Sequence, residues 1–362
     1  MSVTIDGTSG VTTPALTAGG TPFPVEGGFG MRNRIINGDM RIDQRNAGAS
    51  FSTASGSSAY TVDRWGFDYS QTSKFTIQQN AGAVTPPTGY TNYLGITCSS
   101  AYAILSGDYF FTEQRIEGVN VGDLGWGAAG AKSVTLSFWV RSSLTGTFGG
   151  AFRNSAGTRS YPFAYTINAA NTWEQKTINV AGDTSGTWLT NNGIGIRVSF
   201  SVGTGATYSG TAGAWATGNF VTATGATSVV GTTGATFYIT GVQLEKGSVA
   251  TEFQWRSYGT ELALCQRYYQ LTGGYFAATA TVNETDAVGS CNVKVDMRAN
   301  PTATLPVGAR FHKPGIAFYA ASAVSAGPTA NGQGYQGVTI ASGAGAGTVG
   351  QIDYGLILSA EL

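Results

Sequence analysis

The segment 132–143, KSVTLSFWVRSS, decides the fold class of this 362-residue chain. Apolar and polar residues alternate along it with a period of two, which is typical of a β-strand with one face against a core. The other face must be either solvent-exposed or covered by another part of a protein. The apolar members are Val134, Leu136, Phe138 and Val140, and the intervening ones are Ser133, Thr135, Ser137, Trp139 and Arg141.

The same alternation recurs along the chain. It is clear in GIGIRVSFSVG (193–203), and strands also fit 73–79, TWEQKTINV (172–180) and TFYITGVQLE (236–245). Turn signals separate these segments, and the 53 glycines are about twice the usual ~7%. No repeat of 20 to 50 residues is visible. The pattern predicts a mainly β protein, built on an antiparallel β-sandwich of the jelly-roll type.

Composition excludes several function classes. Lys and Arg (20) balance Asp and Glu (20), so no basic field exists to hold nucleic acid or an anionic membrane. Cys98, Cys265 and Cys291 are odd in number and far apart, which predicts neither disulfides nor a metal site. We expect no cofactor. The first residues lack a basic and an apolar region, and no apolar run reaches 18 residues, so we expect neither a signal peptide nor membrane insertion.

Changes in character along the chain predict four regions. Residues 1–32 are turn-rich with little to bury and indicate an attachment arm or linker. Residues 33–255 carry the jelly-roll pattern, and 256–271 contain one short helix. Residues 272–362 return to strands, which predicts a smaller C-terminal β-sandwich.

The helix prediction rests on TELALCQRYYQ (260–270), with Thr260 as the expected N-cap. A helix of about ten residues is too short to be stable alone in water, so it must be covered on more than one side. We expect one stripe to pack on its own sandwich and the other on a neighbouring copy of the chain. The alternative is burial between two domains of the same chain. The expected oligomer contacts are Leu262, Leu264, Cys265, Tyr268 and Tyr269.

Aromatic and arginine side chains suggest a glycan-binding surface. Trp139 lies on the polar face of its strand beside Arg141, where a flat ring next to hydrogen-bonding groups suits a sugar ring. Arg197 could add polar contacts, and Trp215 lies in a glycine- and threonine-rich segment (203–236) that is either functional or a packed excursion. The alternative is that the face carrying Trp139 is covered by this long segment or by another subunit.

Catalytic signals are weak. His312 is the only histidine, and no nucleophile, phosphate-binding or metalloprotease motif stands in a suitable context. Acidic residues lie close together in sequence, and paired carboxylates can cleave glycosides. Such pairs arise freely among 20 acids, so we expect no enzyme and no catalytic residues. The pairs are Asp39 with Asp43, Asp63 with Asp68, and Glu113 with Glu117.

Four blocks resemble bacteriophage virion proteins, chiefly tail-fibre and receptor-binding proteins with a jelly-roll domain similar to carbohydrate-binding modules. They are NRIINGDMRIDQR (33–45), YTVDRWGF (60–67), SFWVRSS (137–143) and the segment 238–270, which is the most specific. The resemblance implies a homotrimer on the exterior of a phage particle, attached to a tail or capsid protein through residues 1–32. Related sugar-binding jelly rolls often hold calcium. Asp39 matches one expected ligand, but Thr240 and Gly241 stand where an Asp pair is expected.

Together with the strand pattern, the resemblance therefore implies a structural, adhesive tail-fibre protein that contacts host surface polysaccharide. One alternative is a head or collar decoration fibre without a receptor role. A further alternative is an enzyme, a polysaccharide depolymerase that uses acid pairs.

Overall fold

The computed structural model describes residues 31–272, 293–306, 308–310 and 356–362 in full, and elsewhere the backbone of separate strands. Before residue 31 these strands are β1 (Ile5–Asp6), β2 (Gly10–Val11), β3 (Thr17–Ala18) and β4 (Thr21–Pro22). Within the described part of the chain, no helix is long and apolar enough to cross a membrane.

Two antiparallel sheets form a sandwich, as the alternation predicts. The seven-stranded sheet has the order β17 (Ala216–Thr217), β13 (Arg159–Ile167), β12 (Gly146–Arg153), β15 (Ile194–Thr204), β10 (Tyr109–Glu117), β7 (Trp65–Tyr69) and β6 (Ser58–Tyr60). The six-stranded sheet has the order β14 (Glu174–Val180), β11 (Val134–Ser142), β19 (Thr236–Lys246), β9 (Leu94–Cys98), β8 (Phe75–Gln79) and β5 (Phe51–Ser52). The mainly β, sandwich fold class is confirmed.

The core lies between the two sheets and is rich in aromatic rings. Phe138 of β11 meets Phe200 of β15 edge to face, with 5.0 Å between ring centroids, and meets Tyr165 at the same distance. All four apolar residues of the 132–143 segment are fully buried there. Burial of large side chains of this kind contributes roughly 1.5–3 kcal/mol each, so these inward rows hold the sheets together.

Parts of the outer faces of both sheets are also covered, which explains why strands such as β10 are buried on both sides, whereas outward residues of β14 are exposed. The segments 84–92 and 247–257 lie over the six-stranded sheet. Residues 205–223 lie over the seven-stranded sheet and include the parallel pair β16 (Ser209–Gly210) and β18 (Thr222–Ala223). Single turns of 3₁₀ helix occur at Ala81–Ala83, Gly118–Asn120, Gly122–Leu124 and Ala206–Tyr208.

The helix α1 spans Tyr258–Gln266 and is the one α-helix among the described residues. Its N-cap is Ser257, whose side chain accepts from the Thr260 N–H, so the expected Thr260 cap is wrong by one turn. Glu261 faces inward and accepts from the Asn37 N–H, which ties the helix to the segment 33–42. The Arg256 guanidinium, 3.1 Å from Glu261 Oε2, neutralises this carboxylate.

After the helix the chain builds a smaller β unit, as expected. A three-stranded sheet has the order β20 (Tyr269–Leu271), β28 (Ile357–Ser359) and β23 (Thr302–Thr304). The other strands join in a closed ring with the order β21 (Phe276–Ala280), β22 (Asp286–Cys291), β26 (Gly334–Ile340), β25 (Ala317–Val324), β24 (Arg310–Lys313) and β27 (Val349–Ile352). Alternation alone does not distinguish a sandwich from such a ring, because the strand pattern is the same in both.

Candidate functional site

A cleft of about 270 Å³ opens on the outer face of the seven-stranded sheet. We call it the aromatic–polar cleft. It combines three aromatic rings with hydroxyl, carboxylate, guanidinium and amide groups. Concave surfaces with this mixture suit small polar ligands that also have an apolar face. Its lining residues are Ser57, Ser58, Asp68, Tyr109, Phe111, Arg153, Tyr208, Asn219 and Val221.

Strand register brings the floor of the cleft together. Phe111 of β10 lies across from Asp68 of β7, which in turn lies across from Ser58 of β6. Since neighbouring strands are about 4.8 Å apart, these outward side chains form a row across the sheet. On the other side of Phe111, β15 presents only the small Ser201. That small residue leaves room for the cleft.

The aromatic wall is fixed by ring contacts. Tyr109 and Tyr208 meet edge to face with 5.3 Å between centroids, and Tyr109 lies 5.8 Å from Phe111. The Arg153 guanidinium stacks over Phe111 at 5.0 Å. These contacts hold the rings in place before any ligand binds, which lowers the entropic cost of binding.

A buried ion cluster lies beside the cleft and includes Arg153, one of the lining residues. Glu113 is 1% exposed and contacts three guanidiniums: Arg153 at 2.6 Å, Arg115 at 2.6 Å and Arg197 at 3.5 Å. Burial alone would raise the pKa of Glu113, but the three cations together hold it below its ordinary value. Glu113 is therefore a permanent anion that fixes its arginines.

Asp68 is the carboxylate that reaches the cleft itself. It pairs with Arg115 at 3.1 Å. Burial, followed by the nearby charge of Glu113, raises the pKa of Asp68 above its ordinary value. A carboxylate in this position can accept hydrogen bonds from ligand hydroxyls.

The structure separates the four residues predicted to bind glycan. Arg197 lies in the ion cluster beside the cleft, whereas Trp139 and Arg141 lie on the opposite side of the sandwich, on the outer face of the six-stranded sheet. The Arg141 guanidinium lies 5.4 Å from the Tyr238 ring centre and donates to the Asn171 carbonyl. These residues therefore cannot form one site.

Trp139 is covered by a part of the chain that sequence reasoning did not consider. Its indole N–H donates to the Tyr90 hydroxyl, and the Tyr90 ring packs against Phe253 and Trp255 with centroids 5.5 Å and 5.1 Å away. The cover is therefore the segments 84–92 and 251–257. Trp255 is the exposed ring of this group, with 52% of its surface accessible.

Trp215 lies at one end of the sandwich in a cluster of three tryptophans. Its ring meets Trp126 at 5.2 Å and Trp188 at 5.4 Å, both edge to face. Its indole N–H donates to the Ala181 carbonyl, and the Trp126 and Trp188 N–H groups likewise bond backbone carbonyls. This geometry ties loops to one another, which accounts for Trp215 without a ligand.

The residues expected to contact a second copy are mostly buried by their own chain. Cys265 and Tyr268 are fully covered, and Tyr269 nearly so. The Tyr268 ring lies under the Arg64 guanidinium at 3.4 Å, and its hydroxyl donates to Glu117. Leu262 and Leu264 are half-buried against the same cluster. The helix therefore finds its cover within the chain, and its need for burial no longer requires an oligomer.

The acid pairs noted in the sequence have separate structural partners. Asp43 accepts from loop N–H groups at Asn46 and Gly48, and Asp63 accepts from Gln44. Glu117 is bound by Arg267 at 2.7 Å. The carboxylates that do approach each other are Asp68 and Glu113, which belong to different predicted pairs.

A calcium ion does not fit the residues at the expected position. Asp39 pairs with Arg41 at 3.0 Å, and burial raises its pKa to about 6. Thr240 donates its hydroxyl to the Asn92 carbonyl, and Gly241 has no side chain. In the described ranges, no three His, Cys, Asp or Glu side chains come together as metal ligands would.

The main cleft residues Tyr109, Arg153 and Tyr208 were missed by sequence reasoning. Tyr208 lies in the glycine- and threonine-rich segment, whose aromatic residues were the available signal. Arg153 lies on a strand that the sequence did not single out. Their proximity depends on strand register, which local patterns do not encode.

No protein-family model matches the chain, and no curated protein matches its sequence. Among solved structures it is similar to the enzymatically active domain of tailspike protein 4 of bacteriophage CBA120, at 12% identity and a TM-score of 0.32, over 60% of this chain and 22% of that one. It is similar to a family 11 carbohydrate-binding module of a Clostridium thermocellum cellulase, at 13% identity and a TM-score of 0.26, over 57% and 98%.

It is also similar to Clostridium thermocellum xylanase modules complexed with xylohexaose, at 12% identity and a TM-score of 0.27, over 53% of this chain and 28% of that one. The match thus spans less than a third of the tailspike domain and of the xylanase modules. At these TM-scores the likeness supports no functional conclusion for this chain.

Proposed function

We propose that the chain is a structural, adhesive protein on the exterior of a bacteriophage particle, and that its aromatic–polar cleft binds host surface glycans. The observation that carries the glycan part is the cleft itself. One concave surface on the sheet combines a fixed aromatic wall, a guanidinium and a carboxylate that can accept hydrogen bonds from hydroxyl groups. The phage part is supported by the four sequence blocks that resemble virion fibre proteins.

The cleft would bind a saccharide with aromatic rings on one side and hydrogen-bonding groups on the other. The Tyr109 and Tyr208 rings would pack against the apolar face of a sugar ring. Asp68 would accept from sugar hydroxyls, while Asn219 and the serines at 57 and 58 would donate or accept. Because Arg115 fixes Asp68 and Glu113 fixes Arg153, the polar groups would lose little freedom on binding.

A panel of bacterial surface polysaccharides tests the glycan part. We expect binding to at least one member, and we expect Tyr109→Ala and Tyr208→Ala each to weaken it about tenfold or more, because each removes a stacking ring. Val249→Ala is the control, since this side chain is 71% exposed and lies outside the cleft. Failure to bind any member, or equal losses with the control, would refute glycan binding at this site.

The proposed assembly is a homotrimer attached to a tail or capsid protein through residues 1–32. Half-buried Leu262 and Leu264, with exposed Trp255 before the helix and exposed Tyr258 at its first residue, leave apolar surface for a contact between copies. Light scattering during size-exclusion chromatography should give three times the chain mass. A monomer at micromolar concentration would contradict the trimer.

Position on the particle can be measured directly. Antibody labelling of intact particles should mark the tail if the protein is a tail fibre. Labelling of the head or collar would favour a decoration fibre without a receptor role.

We further propose that the protein binds without cleaving. Glu113 is held ionised by three guanidiniums and so cannot serve as a proton donor at neutral pH. Incubation with a bound polysaccharide should therefore release no new reducing ends. Their appearance, and their loss in Asp68→Asn, would establish a depolymerase instead.

A further inference from the structure

Three arginines lie side by side on the outer face of the seven-stranded sheet. In the strand register, Arg197 of β15 lies directly across from Arg115 of β10 on one side and from Arg153 of β12 on the other. Directly opposed residues have Cβ atoms about 5 Å apart, and like charges in that position destabilise a sheet. We call these residues the arginine row.

The three members are not equally engaged. Arg115 is bound by Glu113, by Asp68 and by the Leu362 carbonyl at 2.7 Å. Arg153 is bound by Glu113 and by the Asn219 side chain at 2.8 Å, and it stacks on Phe111.

Arg197 is the weakly held member. The one ion pair of its guanidinium is with Glu113, whose Oε1 lies 3.5 Å from Nη1; its Nε, like that of Arg153, is buried without a hydrogen-bond partner among the described residues. Its side chain is 22% exposed, so it can be reached from solvent. Glu113 is already shared by two closer guanidiniums and cannot neutralise a third.

We infer that the saccharide bound at the cleft is acidic and that its carboxylate pairs with Arg197; this rests on the proposed glycan-binding function. A guanidinium presents two parallel N–H donors that match a carboxylate in geometry and charge. An anion placed there would also relieve the repulsion along the arginine row.

The position of Asp68 gives the ligand an orientation. Asp68 lies on the side of the cleft toward β6, whereas Arg153 and Arg197 lie on the other side, on β12 and β15. An acidic sugar would therefore place its carboxylate toward Arg197 and its hydroxyls toward Asp68. The reverse placement would set two carboxylates against each other.

The test compares one polymer in two charge states. The acidic glycans that the full-length protein binds in the polysaccharide panel are carboxyl-reduced, which converts each carboxylate into a hydroxymethyl group and keeps the ring. At about 0.15 M salt we expect the reduced form to bind at least about tenfold more weakly, as for the loss of one charge-assisted hydrogen-bonded pair.

Variants assign the effect to one residue. Arg197→Gln should weaken binding of the acidic form about tenfold and leave the reduced form unchanged. Arg141→Gln is the matched control, because it removes a guanidinium from the opposite outer face and should change neither. Circular dichroism verifies that both variants are folded.

The outcomes separate this inference from the proposed function. Binding to neutral polysaccharides alone, equal affinity for the two charge states, or equal losses for both in Arg197→Gln would overturn the acidic ligand while leaving glycan binding intact. Binding to no saccharide at all would overturn the proposed function and this inference with it.

Discussion

The two outer faces of the sandwich stabilise a buried carboxylate in different ways. Each carries a buried, outward-facing glutamate: Glu113 on the seven-stranded sheet and Glu245 on the six-stranded sheet, which are 1% and 2% exposed. Glu113 is surrounded by guanidiniums. Glu245 accepts from the Thr251 N–H and hydroxyl and from Gln243.

The difference shows that burial of a charge does not reveal its role. Glu245 accepts its hydrogen bonds from neutral donors and has one guanidinium nearby, that of Arg32 at 3.8 Å. The cluster around Glu113 brings in more cations than one carboxylate needs. We call the outer face of the six-stranded sheet, which carries Glu245, the neutral face. We call the outer face of the seven-stranded sheet, which carries Glu113, the charged face.

The strongest way to break this comparison is to remove each carboxylate. Glu113→Gln should lower the free energy of unfolding by about 3–5 kcal/mol, because it leaves buried guanidiniums without their anion. Glu245→Gln should cost only about 1–2 kcal/mol, since an amide oxygen still accepts from the same neutral donors. Urea unfolding measures both, and equal losses would mean that the two faces do not differ.

A glycine tests whether the neutral face depends on shape. Gly241 has a φ of 60°, and a Cβ there would lie 2.7 Å from the Tyr90 ring. Gly241→Ala should therefore cost about 3 kcal/mol from backbone strain and overpacking together. Gly213→Ala, at a φ of 89° with nothing within 4 Å, should show only the backbone part, about 1 kcal/mol. Equal losses of stability in thermal unfolding would show that the close approach of Tyr90 does not contribute to the cost at Gly241.

The contributions of Glu117 and Asp39 to the free energy of unfolding should change with pH in opposite directions. On the charged face the pKa of Glu117 is lowered: burial opposes this, but Arg267 and Tyr268 outweigh it, so its contribution is lost as pH falls. Beside the neutral face, burial raises the pKa of Asp39 from 3.8 to about 6. Its stabilisation is present below pH 3.8 and is lost as pH rises through 6.

Asp39→Asn should therefore remove a slope of about 1 kcal/mol per pH unit between pH 4 and 6, with the wild type losing stability relative to the variant as pH rises. Urea unfolding at several pH values measures this slope. A difference between the two proteins that stays constant with pH would contradict the shifted pKa.

The smallest expected effect is that of a cation on the neutral face. Arg141→Gln removes a guanidinium that lies 5.4 Å from the Tyr238 ring and is partly exposed. We expect a loss of about 0.5 kcal/mol in urea unfolding, as for an exposed cation–π contact. A loss as large as that for Glu113→Gln would mean that the neutral face also relies on charge.

Much of the fold could be predicted because its signal is local. The alternation of apolar and polar residues predicts which side chains of the 132–143 segment face the core. The local sequence at 260–266 predicts the helix. The cleft and the arginine row could not be predicted, because β10, β12 and β15 are far apart in sequence and their register sets which side chains meet. The cover of the helix by residues 36 and 42 was missed for the same reason.

The ion pair between Arg64 and Glu361 has a consequence for how the protein is made. The two residues are 297 positions apart, and the Arg64 side chain is 1% exposed. At roughly 5–20 residues per second, a ribosome needs about 15–60 s to supply the partner after Arg64 has been added. During that interval the Arg64 guanidinium lacks its carboxylate partner, so its burial as an ion pair follows the emergence of Glu361 from the exit tunnel.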